Sequence, residues 1–95
     1  MLALEVELHL PTCTSLKAKR AVLRPVVEGC RQRFGLAVAE VDHQDLWQRA
    51  TIGVAVVSAS NGQAAERIDA VERWLWSRPD LDVIRCDRHW LEVDG

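Results

Sequence analysis

Residues 38–57 read VAEVDHQDLWQRATIGVAVV, and this stretch decides the fold. In its second half Ile52, Val54 and Val56 share one face, while Arg49, Thr51, Gly53 and Ala55 take the other, the period of two that marks a strand. Asp42-His43-Gln44-Asp45 are turn-forming residues lying between two apolar runs. The pattern predicts a hairpin: a short strand from Leu36 to Val41, a turn at Asp42 to Asp45, and a long strand from Leu46 to Ser58.

Upstream, Leu2, Leu4, Val6, Leu8 and Leu10 alternate with Ala3, Glu5, Glu7 and His9, which predicts a first strand ended by Pro11. Ser15 can cap a helix whose apolar positions are Leu16, Leu23, Val26 or Val27, Cys30 and Phe34, with Gly35 as the stop. Pro25 removes one helical hydrogen bond and crowds the preceding turn at a cost of about 3 kcal/mol. The apolar stripe keeps its phase across it, so the expectation is a helix kinked near Arg20 to Pro25. Downstream, Ser60 and Gln63 have capping-box spacing, and Ala64, Ile68, Val71 and Leu75 form the stripe of a second helix stopped at Pro79. Leu81 to Val93 is the last strand.

The order strand, helix, strand, strand, helix, strand joins two right-handed crossovers. It predicts an α+β ferredoxin-like βαββαβ plait spanning 1–95: a four-stranded antiparallel sheet with both helices on one face and the first and third strands central. Ninety-five residues, 48% of them hydrophobic, suit one core. A net charge of −2 gives no global case for nucleic acid or membrane. The opening strand pattern is neither a signal peptide nor a bilayer span. Cys13, Cys30 and Cys86 are odd in number and form no CxxC pair, so they read as reduced thiols in a cytoplasmic protein.

Two stretches carry a resemblance. Ser15-Leu16-Lys17-x-Lys19-Arg20, and then Val38-Ala39-Glu40-Val41-Asp42-His43-Gln44-Asp45-Leu46-Trp47-Gln48-Arg49-Ala50, resemble the YlxP-like family of small bacterial proteins. The likeness extends to Val54-Ala55-Val56-Val57-Ser58 and Ser77-Arg78-Pro79. It implies the same plait, marks the hairpin residues Glu40, Asp42, His43, Gln44, Asp45, Trp47, Gln48 and Arg49 as a family motif, and implies a link to RNA or ribosome maturation. It assigns no reaction.

Charge is distributed unevenly. Lys17, Lys19, Arg20, Arg24, Arg31 and Arg33, six of the twelve basic residues, fall on the first helix against a single acid, Glu28. Lys17, Lys19, Arg20, Arg24 and Arg31 are the candidate RNA contacts, because Lys and Arg on phosphates release condensed counterions. The alternative is a solvated helix face offset by acids elsewhere. The sheet face away from the helices offers no aromatic except Trp47 at a strand start, so any RNA would meet the helix or the hairpin.

Four other readings stay open. Asp42, His43 and Asp45 are potential metal ligands, joined by His9 or His89, or else a polar turn tip. Glu40 with His43 could serve as an acid/base pair, which would make the hairpin a metal-dependent or hydrolytic enzyme site. No phosphate loop or nucleophile elbow accompanies them, and neither cofactor nor small-molecule substrate is evident. Cys13, just before a helix, is the thiol expected to be exposed. Finally, the small apolar residues Ala3, Gly53, Ala55 and Val57 on the uncovered face point to a homodimer, or to a purely structural dimerisation domain, against a monomer.

Overall fold

The computed structural model describes residues 1–91. The elements are β1 (Leu2–His9), α1 (Leu16–Phe34), β2 (Ala37–Asp42), β3 (Arg49–Val56), α2 (Asn61–Trp76) and β4 (Asp82–Trp90). The sheet order is β2-β3-β1-β4, antiparallel throughout, so the two strands with the strongest alternation are the central pair. This is the ferredoxin-like plait that the alternation predicts.

Register explains which side chains are buried. Leu4 pairs with Val54 and Val6 with Ile52, and all four point to the helices. There they meet Leu23, Val26 and Cys30 from α1 and Ile68, Val71 and Leu75 from α2. On the other face Glu5 pairs with Gly53, Glu7 with Thr51, and His9 with Arg49.

α1 runs without interruption through Pro25. Pro25 and Ala21, the residue whose carbonyl loses its donor, are both exposed, so water can satisfy that carbonyl. Ser15 Oγ accepts from Ala18 N–H at 3.0 Å, and Gly35 closes the helix at φ 63, a conformation that favours glycine. Ser60 caps α2 by accepting from Gln63 N–H, but the reciprocal half of the capping box is missing. The Ser60 N–H instead goes to Ser58 Oγ.

Several boundaries differ from expectation: β2 runs from Ala37 to Asp42, not Leu36 to Val41, and β3 ends at Val56, not Ser58. β3 starts at Arg49, not Leu46, because His43 adopts φ 62 and its carbonyl accepts Leu46 N–H, curling residues 43–46 into a turn. The expected end of the last strand, Glu92 and Val93, lies outside the described residues; β4 ends at Trp90. No described helix is long and apolar enough to cross a membrane.

Candidate functional site: a basic groove between α1 and the β2–β3 turn

The buried positions of α1 are Lys19, Leu23, Val26 and Cys30, spaced at four, three and four residues. A lysine therefore occupies a core position. Lys19 is 2% exposed, and a charge so enclosed must be paired. Its ammonium lies 2.7 Å from Glu40 Oε2 and donates to the His43 carbonyl at 2.6 Å. Glu40 stands opposite Ile52, so it faces the helices and can meet the lysine. Glu40 Oε2 has no aligned hydrogen-bond donor, so its link to Lys19 is an ion pair by proximity. Lys19 thus pins α1 to the hairpin turn, and its charge is not presented at the surface. Its expected role as a phosphate contact is corrected on this ground: the side chain points into the protein.

The remaining cations of α1 behave differently. Arg20, Arg24 and Arg31, with Leu16, Leu23 and Val27 as the apolar part, line a groove of about 410 Å³ beside edge strand β2. Lys19, Glu28, Glu40 and Gln44 complete its wall. Lys17 is exposed outside the groove. Among the described residues no carboxylate lies within ion-pair distance of Lys17, Arg20, Arg24 or Arg31. Arg31 donates from Nε and Nη2 to the Val38 carbonyl at 3.1 and 2.7 Å, which covers part of the open β2 edge. Arg33 turns away and lies over the Trp74 ring. Two of the three acids of α2 are engaged elsewhere: Arg88 on β4 reaches Glu72 at 3.1 Å and Asp69 at 2.6 Å, and these hydrogen bonds raise its pKa further.

The hairpin residues do not assemble the chemistry weighed for them. The β2 register slips between Glu40 and Asp42, and the two sides of that bulge face opposite ways. Glu40 turns to Lys19, while His43 Nδ1 meets Thr51 Oγ1 at 2.9 Å on the uncovered face. The Glu40–His43 acid/base pair is therefore not formed. Asp42 Oδ1 accepts the His43 N–H at 2.7 Å. His9 sits near Asp82, and His89 pairs with Ala3 at the far end of β1. Among the described residues no group of three or more His, Cys, Asp or Glu side chains could hold a metal ion. Gln44 reaches the groove, while Asp45, Trp47, Gln48 and Arg49 surround a second hollow at the turn.

The expectation for Cys13 is also overturned: it is 1% exposed, packed in the core, and burial raises its thiol pKa. Burial pushes Cys30 up to about 11, and burial followed by the Glu72 charge raises Cys86. None of these is an activated thiol.

With this geometry in place, the family described as "Protein of unknown function (DUF503)" matches residues 1–88. The chain belongs to the DUF503 family. It is similar to the uncharacterized protein YlxP of Bacillus subtilis (strain 168), at 33% identity over 77 residues, covering 81% of this chain and 84% of that protein. The DUF503 match takes in α1, the β2–β3 turn and the groove between them.

Proposed function

We propose that this DUF503 chain is a non-catalytic module that binds RNA along the groove between α1 and the β2–β3 turn, as an accessory to RNA or ribosome maturation. One observation carries the reading. Three arginines, Arg20, Arg24 and Arg31, converge on one groove, and none has a carboxylate partner among the described residues. In a chain of net charge −2, a local set of guanidiniums without carboxylate partners is where an RNA backbone would be held. Lys19 supports the site by fixing the turn against the helix.

The test is the double charge reversal Arg20→Glu with Arg24→Glu. Both residues are exposed, so the fold should survive, checked by circular dichroism. RNA affinity at low salt should fall by about tenfold or more. Unchanged affinity would remove the groove from the account.

A second reading rests on a separate observation. The uncovered face carries an apolar hollow of about 520 Å³ lined by Ala3, Ala37, Ala39, Val41, Gly53 and Ala55 among others. Side chains this small let another sheet approach to about 10 Å, and this supports a homodimer packed through that face. A monomer mass in light scattering at micromolar concentration would exclude it.

A further inference from the structure

RNA could meet the groove as a duplex, through phosphates alone, or as a single strand, through phosphates and bases. The β2–β3 turn separates the two. Trp47 is 53% exposed and its neighbour Leu46 is 47% exposed; neither belongs to the core. The turn that presents them is pinned on both sides. The His43 carbonyl receives the buried Lys19 ammonium and the Leu46 N–H, and the Gln48 carbonyl accepts Leu10 N–H at 2.9 Å. With the turn's backbone fixed, only the two side-chain torsions of the exposed indole are left to order when a flat partner stacks on it.

A hollow of about 360 Å³ lies at this tip, lined by Asp45, Leu46, Trp47, Gln48 and Arg49. It offers a ring, an amide and a carboxylate, groups that can stack on a base and hydrogen-bond its edges, while the Arg49 guanidinium is already paired with Glu7 at 2.5 Å. Through Lys19 the same turn is tied to the wall of the arginine groove. In a duplex the base faces are hidden by stacking, so the tryptophan and the apolar part of the groove would have nothing to meet. Resting on the RNA reading above, we infer that the ligand is single-stranded RNA, with one unpaired base stacked on Trp47 and the adjoining phosphates along Arg20, Arg24 and Arg31.

The experiment is fluorescence anisotropy with a short labelled single-stranded RNA and the fully paired duplex of the same sequence. The single strand should bind at least about tenfold tighter than the duplex. Trp47→Ala should weaken single-strand binding by roughly five- to 150-fold, the range found for loss of one base–aromatic stack. Trp47→Phe should keep most of it. Trp76→Ala, which removes a still more exposed indole from α2, should change nothing. Equal binding of the duplex overturns the inference. So does wild-type affinity in Trp47→Ala, even where Arg20→Glu with Arg24→Glu abolishes binding; the RNA reading would then stand without the base site. Absence of binding to either RNA removes both. If Trp47→Ala leaves RNA affinity intact and converts a dimer to a monomer, the tip belongs to a second copy of the chain and the inference is also overturned.

Discussion

Lys19→Met is the perturbation that separates structural support from ligand contact on α1. The substitution keeps the length of an unbranched side chain and removes the ammonium that lies 2.7 Å from Glu40 and 2.6 Å from the His43 carbonyl. Removing one member of a fully enclosed ion pair costs about 3–5 kcal/mol. Glu40 retains 27% side-chain exposure, so water partly resolvates it, and the His43 carbonyl keeps the Leu46 N–H. The loss should therefore be smaller, roughly 2–3 kcal/mol. At 4–8 °C per kcal/mol for a chain of this size, the melting temperature followed by circular dichroism at pH 7 should fall by roughly 10–20 °C. The opposite deletion, Glu40→Leu, strands the more deeply enclosed charge and should cost at least as much. The double variant Lys19→Met with Glu40→Leu should recover part of the loss, giving a coupling of about 1–3 kcal/mol in the cycle. A fall below about 3 °C for Lys19→Met, the behaviour of an exposed lysine, or strictly additive single effects, would refute the buried pair.

Three further predictions concern other parts of the molecule. At Gly29 an added Cβ would sit 2.8 Å from the Trp74 ring, so Gly29→Ala should destabilise by about 1–2 kcal/mol despite its better helix propensity. In a Trp74→Leu background the same change should become neutral or stabilising in urea titrations. The Cys30 thiol, shifted from 9.0 to about 11, favours the folded state while protonated; that contribution is complete below pH 9 and is lost as pH rises through 11. It amounts to roughly 3 kcal/mol, visible as a steeper alkaline decline of the urea midpoint in wild type than in Cys30→Ala. In native thiol labelling Cys86, half-buried on β4, should react first, with Cys13 and Cys30 reacting only when the chain unfolds.

The strand order was readable because its carriers are local patterns. Leu2 to Leu8 and Ile52 to Val56 alternate cleanly, and a strand that buries one face shows it in a period of two. The course of α1 through Pro25 was also in the pattern, since the apolar stripe does not change phase. Lys19 was the failure. It lies four residues before Leu23 on the buried stripe, but Leu16, seven before Leu23, also fits helical spacing and is apolar. The signal lay in a coincidence: a lysine at a core position of α1, and an acid, Glu40, two residues after the buried Val38 on the helix-facing side of β2. Only tertiary pairing shows that the two meet. Cys13 misled for a related reason, because proximity to a helix start says nothing about whether the loop folds over the core. The late start of β3 depends on the left-handed turn at His43, which a non-glycine residue does not announce.

The most direct test of the central claim is the salt dependence of RNA binding by the wild-type chain and by Arg20→Gln with Arg24→Gln. Three arginine–phosphate contacts on a single strand predict a slope of about −2 for log affinity against log salt, flattening to about −0.7 in the variant. A slope near zero in wild type, or the same slope in both proteins, would contradict the groove as the RNA-binding surface.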